Sequence, residues 1–189
     1  MLRAQTGEAL MRVELAPQPQ NPIPDLSLHY SPELVRAGSA FGLAPYQHSR
    51  LPLRLFEACR IATAVINGCT VCMNWRAQRD LRILGHEGGV IEQADAPDEA
   101  MYQAVLSGEL DKLTEKERVA VRFSQKMGTD SRALGEDEAF WAELKGLMTD
   151  AEIVDLTHCT AAWMAMGRVA HVLGVDSVCT IGGPLAEAA

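Results

Sequence analysis

Positive charge is scarce in this chain: 17 Lys and Arg stand against 25 Asp and Glu, a formal net charge of −8. A sequence-independent grip on nucleic acid or on an anionic membrane depends on basic surface, so neither partner is expected. Long apolar runs are also missing. Residues Met1 to Glu8 lack the core of a signal peptide, and the most apolar late stretch is broken by Arg168 and His171, so a cytoplasmic protein is expected. No segment sustains strand alternation, no internal repeat recurs at a fixed period, and the five cysteines are an odd number unsuited to a disulfide framework. In a reducing compartment such cysteines are structural thiols, metal ligands or redox groups, which makes their spacing more informative than their number.

What remains is a chain of 189 residues, 48% hydrophobic and 22% charged, the composition of one globular domain. A domain of that size buries roughly 70% of its unfolded surface and needs neither disulfide nor structural metal for its core. Residues 1–25 are expected to form an arm, because Pro17, Pro19, Pro22 and Pro24 fix φ and remove amide donors. Residues 26–189 are expected to form one all-α domain of about six to eight helices. Ser31-Pro32-Glu33 predicts a short helix stopping near Gly38 or Gly42. Pro52 predicts an apolar helix from Leu53 to Ile66 closed by Asn67-Gly68, followed by a second from Cys69 to Leu84. Thr114 with Glu117, and Thr149 with Glu152, are capping boxes that start later helices. Between them, Phe140, Trp141, Leu144 and Leu147 give Glu136 to Leu147 helical spacing.

The chemistry lies between Glu57 and Arg76. If the turn before Cys69 starts a helix, Cys69 and Cys72 stand one turn apart on one face, within reach of a disulfide. A helix start lowers a nearby thiol pKa, which favours Cys69, and an adjacent cation does the same, which favours Cys72 if Arg76 lies over its face. Six arginines (Arg50, Arg54, Arg60, Arg76, Arg79, Arg82) against Glu57 and Asp80 make this stretch locally cationic. Glu57 sits in an apolar helix. It can relay a proton to or from sulfur, or form an ion pair with Arg54 or Arg60. No metal and no cofactor are expected: a zinc site needs two more ligands, and the neighbours His158 and Cys159 point about 100° apart on a helix. Cys59, Cys159 and Cys179 read as buried apolar groups, and Trp163, Met164 and Met166 as core or subunit interface. His29, His48 and His86 read as surface residues, and His158 and His171 as packed, hydrogen-bonded ones.

A Glu twelve positions before Cys-x-x-Cys, with Ile66-Asn67-Gly68 leading into the first cysteine, resembles the alkylhydroperoxidase AhpD core of the carboxymuconolactone decarboxylase family, over Leu51 to Gly89. The resemblance implies an all-α, oligomer-forming peroxidase that reduces hydroperoxides through a dithiol/disulfide cycle. It implies Cys72 as attacking thiolate, Cys69 as resolving partner and Glu57 as proton relay. It further implies an external thiol reductant and a homo-oligomer, commonly a trimer or hexamer; independently, the many apolar helix faces, Leu53 to Ile66 especially, are expected to be partly buried between subunits. Two departures stand out: Arg76 replaces a histidine four residues after the second cysteine, and Val71 replaces one often found between the cysteines. Arginine can hold a thiolate by charge but exchanges no proton near neutral pH, which shortens the relay to Glu57 and water. Two other readings stay open. One is a lyase using Glu57 and the arginines on a small carboxylated substrate, and the other is a non-catalytic oligomer whose dithiol senses redox state.

Overall fold

A computed structural model of the chain describes residues 11–14, 26 and 29–177. Most of the Pro-rich arm, and Cys179, lie outside the described residues. Nine α-helices run in order among those described: α1 (Pro32–His48), α2 (Leu53–Asn67), α3 (Thr70–Asn74), α4 (Ala77–Ile83), α5 (Glu99–Ser107), α6 (Glu115–Thr129), α7 (Ser131–Glu136), α8 (Glu138–Leu147) and α9 (Asp150–Leu173). No strand occurs among the described residues, so the all-α expectation holds, with more helices than six to eight.

The architecture is centred on α2. Its residues are apolar on nearly every side, and Leu53, Phe56, Ala58, Cys59 and Ile61 are fully buried, as suits a helix surrounded by others. It packs against α6, α9 and α5. Apolar surface expected between subunits is therefore mostly buried inside one chain, with Val65 as the exposed exception. Gly68 closes α2 in the left-handed region at φ 69°, its N–H bonded to the carbonyls of Ala64 and Val65. Both expected capping boxes are present, on Thr114 at the start of α6 and Thr149 at the start of α9.

Two expected boundaries are overturned. Helix α1 does not stop at Gly38 or Gly42 but continues to His48. Gly42 serves a close helix crossing instead: a Cβ there would lie 2.8 Å from Cγ of Met166 on α9, whereas one on Gly38 would meet Met166 at ordinary contact distance. The helix expected from Cys69 to Leu84 is two helices, α3 and α4, separated by extended backbone at Trp75 and Arg76. Asp98 and Gly108, an N-cap and a left-handed terminus, bracket α5, which the sequence reading passed over.

The end of α1 forms a wall of the site and is held there by the 3-10 turn Gly89–Glu92. Gly89 has φ 67°, and a Cβ there would collide with the backbone carbonyl of Tyr46. Gly89→Ala is expected to destabilise the fold by about 2–4 kcal/mol, from left-handed strain plus overpacking against backbone. Urea unfolding checks this, and a wild-type midpoint would contradict the close approach.

Candidate active site: a dithiol beside an apolar cavity

The chain leaves α2 through Gly68 and enters α3 with Cys69 as N-cap, whose sulfur accepts the Cys72 N–H at 3.3 Å. Cys69 and Cys72 are joined in a disulfide with Cα atoms 5.2 Å apart. The two sulfurs are not equivalent. Cys69 is 0% exposed, whereas Cys72 is half-buried and lines a cavity of about 340 Å³. The start of α3 is fixed by the turn that follows α9. Asp176, buried there, accepts the Thr70 N–H at 3.0 Å, its backbone carbonyl accepts the Thr70 hydroxyl, and His171 Nδ1 lies 3.1 Å from the same carboxylate.

The end of α3 is held by a buried ion pair. Glu57 is 0% exposed and Arg60 3%, and Arg60 meets the carboxylate through Nε at 2.5 Å and Nη2 at 3.1 Å. The same guanidinium donates to the carbonyls of Cys72 at 2.6 Å and Trp75 at 2.5 Å, groups that the interrupted helix leaves without helical partners. Glu57 in turn accepts the Ala77 N–H at the start of α4, at 3.1 Å, and the Tyr102 hydroxyl at 2.6 Å. The pair thus splints the break between α3 and α4, satisfying carbonyls on one side and an amide on the other. Burial works against the Arg60 charge, but Glu57 together with Tyr46 and Tyr102 holds the guanidinium pKa above its usual range. Burial, then the Glu57 charge, push the Tyr102 phenol up, so its hydroxyl stays protonated.

Arg76 does not occupy the place expected from its spacing. Because α3 ends before it, four residues after Cys72 is not one helical turn. Its guanidinium lies 4.0 Å above the Tyr102 ring and bonds Glu99 at 2.8 Å and the carbonyls of Met73 and Trp75. The cationic stretch is also largely neutralised by folding: Arg54 meets Glu117, Arg60 meets Glu57, Arg76 meets Glu99 and Arg79 meets Asp80. Of the two ion pairs considered for Glu57, the fold selects Arg60.

The cavity itself was not foreseen. Gly42 and Tyr46 of α1, Trp75, and Trp163 and Met166 of α9 line it, with Arg60 and exposed His86. Trp163 and Met166, expected in a core or interface, are three residues apart on one helix, and that spacing was the available signal for a shared wall. Met164 is buried. Elsewhere, His158 Nδ1 lies 2.9 Å from the Val154 carbonyl, within its own helix. Cys59 and Cys159 are buried free thiols. Burial pushes Cys59 up to about 12, and burial and then Asp155 raise Cys159 as well. In reduced, folded protein, iodoacetamide at pH 8 is therefore expected to label Cys72 and leave Cys59 and Cys159 untouched over the same time, as read by peptide mapping. Labelling of Cys59 at the rate of Cys72 would contradict this. No helix among the described residues is long and apolar enough to cross a membrane.

No protein family's sequence profile matches the chain, and no curated protein does. Solved structures do match. One is a protein of unknown function from Agrobacterium tumefaciens, named as a candidate antioxidant defence protein AhpD. It is 22% identical, aligns over 75% of this chain and 88% of its own, and has a TM-score of 0.58. Another is an uncharacterized peroxidase-related protein from Ralstonia eutropha with an alkylhydroperoxidase AhpD core. It is also 22% identical, over 79% of this chain and 73% of its own, with a TM-score of 0.58. The chain therefore shares the helical fold of AhpD-like proteins and carries the Cys-x-x-Cys pair as a disulfide within it.

Proposed function

We propose that this chain is a thiol-dependent peroxidase that reduces hydroperoxides through Cys69 and Cys72. The observation that carries the reading is the asymmetry of the pair: two cysteines within disulfide reach, one sealed in the core and the other opening on an apolar cavity. In the cycle, the Cys72 thiolate attacks the terminal peroxide oxygen and the O–O bond breaks. Its electron pair leaves on the alkoxide, which takes a proton to become the alcohol, and Cys72 becomes a sulfenic acid. The Cys69 thiol then displaces hydroxide from that sulfur, forming the disulfide and releasing water. An external dithiol returns both sulfurs to the reduced state by exchange, becoming a disulfide itself.

The proton expected from Glu57 is assigned instead to solvent in the cavity, because Glu57 already accepts four hydrogen bonds from the protein. Its proposed part is to position the dithiol helix through Arg60. A small carboxylated substrate is disfavoured by the same pair, since Arg60, the arginine lining the cavity, is committed to Glu57 and two backbone carbonyls. A homo-oligomer belongs to the proposal, with exposed Leu34, Ile83, Leu84 and Val172 as apolar surface available for it.

The test is to treat reduced protein with a slight excess of an organic hydroperoxide, block free thiols, digest, and identify the cysteines consumed. Rapid formation of the Cys69–Cys72 disulfide is the expected result. Free thiols in folded, peroxide-treated protein would refute the peroxidase reading.

A further inference from the structure

Helix α3 is only five residues long, and each of its ends is held by side chains from another helix or turn. Glu57 and Arg60 hold the Cys72 end. The Cys69 end is bracketed on both sides in sequence. Thr70, the residue after Cys69, gives its N–H to Oδ2 of Asp176 at 3.0 Å and its hydroxyl to the Asp176 carbonyl at 3.1 Å. Gly68, the residue before, lies so close to the His171 ring that a Cβ there would stand 3.1 Å from Nε2. His171 Nδ1 is 3.1 Å from the Oδ2 that binds Thr70, so imidazole and carboxylate form one unit. Asp176 is buried in the 3-10 turn Val175–Ser177 that follows α9. A buried carboxylate is costly unless its bonds are made, and Oδ2 makes them to the Cys69 turn and to the ring that covers that turn.

We infer that Asp176 and His171 are positioning residues for the dithiol: they preorganise the turn that carries Cys69 and so shift the dithiol/disulfide equilibrium toward the disulfide. Joining two cysteines removes conformational freedom from the turn between them, and a turn already ordered in the reduced protein has less to lose. The Cys69–Cys72 bond restrains the oxidised turn by itself, so loss of the clamp frees mainly the reduced form. Removing the clamp therefore favours the dithiol. Glu57 and Arg60 do not substitute for it, because their bonds end on Cys72, Trp75 and Ala77, at and beyond the other end of α3. The inference rests on the reading that Cys69 and Cys72 cycle between dithiol and disulfide, but its test involves no peroxide.

Full-length protein is equilibrated with dithiothreitol at graded ratios of its oxidised and reduced forms, quenched in acid and alkylated, and the oxidised fraction of the Cys69–Cys72 pair is read by peptide mass. In that exchange the protein disulfide takes two electrons and two protons from the reagent dithiol, which closes to its own disulfide. Asp176→Ala is expected to lower the equilibrium constant for oxidation about tenfold, a rise of about 30 mV in reduction potential. Asp176→Asn keeps an acceptor for the Thr70 N–H and is expected to fall between this variant and wild type. His171→Ala, which uncovers Gly68 and leaves the carboxylate in place, is expected to lower the constant about two- to threefold. A merely structural clamp would lower the urea midpoints of oxidised and reduced protein alike and leave the potential where it is. An unchanged potential in folded Asp176→Ala would overturn the inference. If that variant fails to fold, the half-exposed His171 decides, and an unchanged potential in His171→Ala is the overturning result. Either result leaves the disulfide mapping above intact, and a wild type inert to hydroperoxide leaves the potentials readable, so the two claims fall separately.

Discussion

Cys72→Ser is expected to abolish hydroperoxide turnover, by about a thousandfold or more, because a serine hydroxyl neither ionises near neutral pH nor accepts an oxygen atom. Cys69→Ser is expected to behave differently. Half-buried Cys72 still lines the cavity, so each chain should reduce one equivalent of peroxide and stop at the sulfenic acid, which dimedone would trap on Cys72. Steady-state turnover falls in both variants, while the first turnover survives only in Cys69→Ser. The distinction bears on which sulfur attacks. The N-cap position of Cys69 favours its thiolate electrostatically, and its sulfur accepts the Cys72 N–H, but at 0% exposure it has no route to a peroxide. Accessibility outweighs the helix start. Dimedone trapped on Cys69 in a Cys72→Ser background would reverse the assignment.

The parts of this molecule legible in its sequence are those set by local rules. Helix α2 was readable from Pro52 to Gly68 because a proline start and a left-handed glycine end need no knowledge of neighbours. The capping boxes of α6 and α9 were readable for the same reason. The α3–α4 break was not, because its cause is Glu57 and Arg60, which lie on another helix and supply the hydrogen bonds that an unbroken helix would make for itself. The misreading of Gly42 has a similar origin: a glycine that admits Met166 at a crossing looks in sequence like one that ends a helix. The dithiol was visible as a spacing, but the cavity beside it is assembled from α1, α2, the α3–α4 break and α9, and no local pattern announces such a meeting.

Glu57→Gln is expected to lower stability by about 3–5 kcal/mol, the usual result of removing one partner from a buried ion pair. For a chain of this size that is a fall in Tm of roughly 6–20 °C. The substitution is nearly isosteric, so the loss arises from bonding and charge, not from a void. Oε2 accepts from Arg60, Ala77 and Tyr102, and Oε1 accepts from Arg60. Placing an amide NH₂ at either position sets a donor against donors, and Arg60 at 3% exposure keeps its charge without a counterion. Release of Arg60 would also strip the Cys72 and Trp75 carbonyls of their partner and loosen the short helix that carries the dithiol. Arg76→Gln provides a milder contrast: its partner Glu99 is mostly exposed and water can replace that bond, but Arg76 also donates to the Met73 and Trp75 carbonyls and lies over the Tyr102 ring, so its loss should be about 1–2 kcal/mol, below that of Glu57→Gln. Urea unfolding of the two variants side by side separates the roles. Equal, small losses would mean that the buried pair does not hold α3 and α4 together, and the positioning part assigned to Glu57 would have to be abandoned.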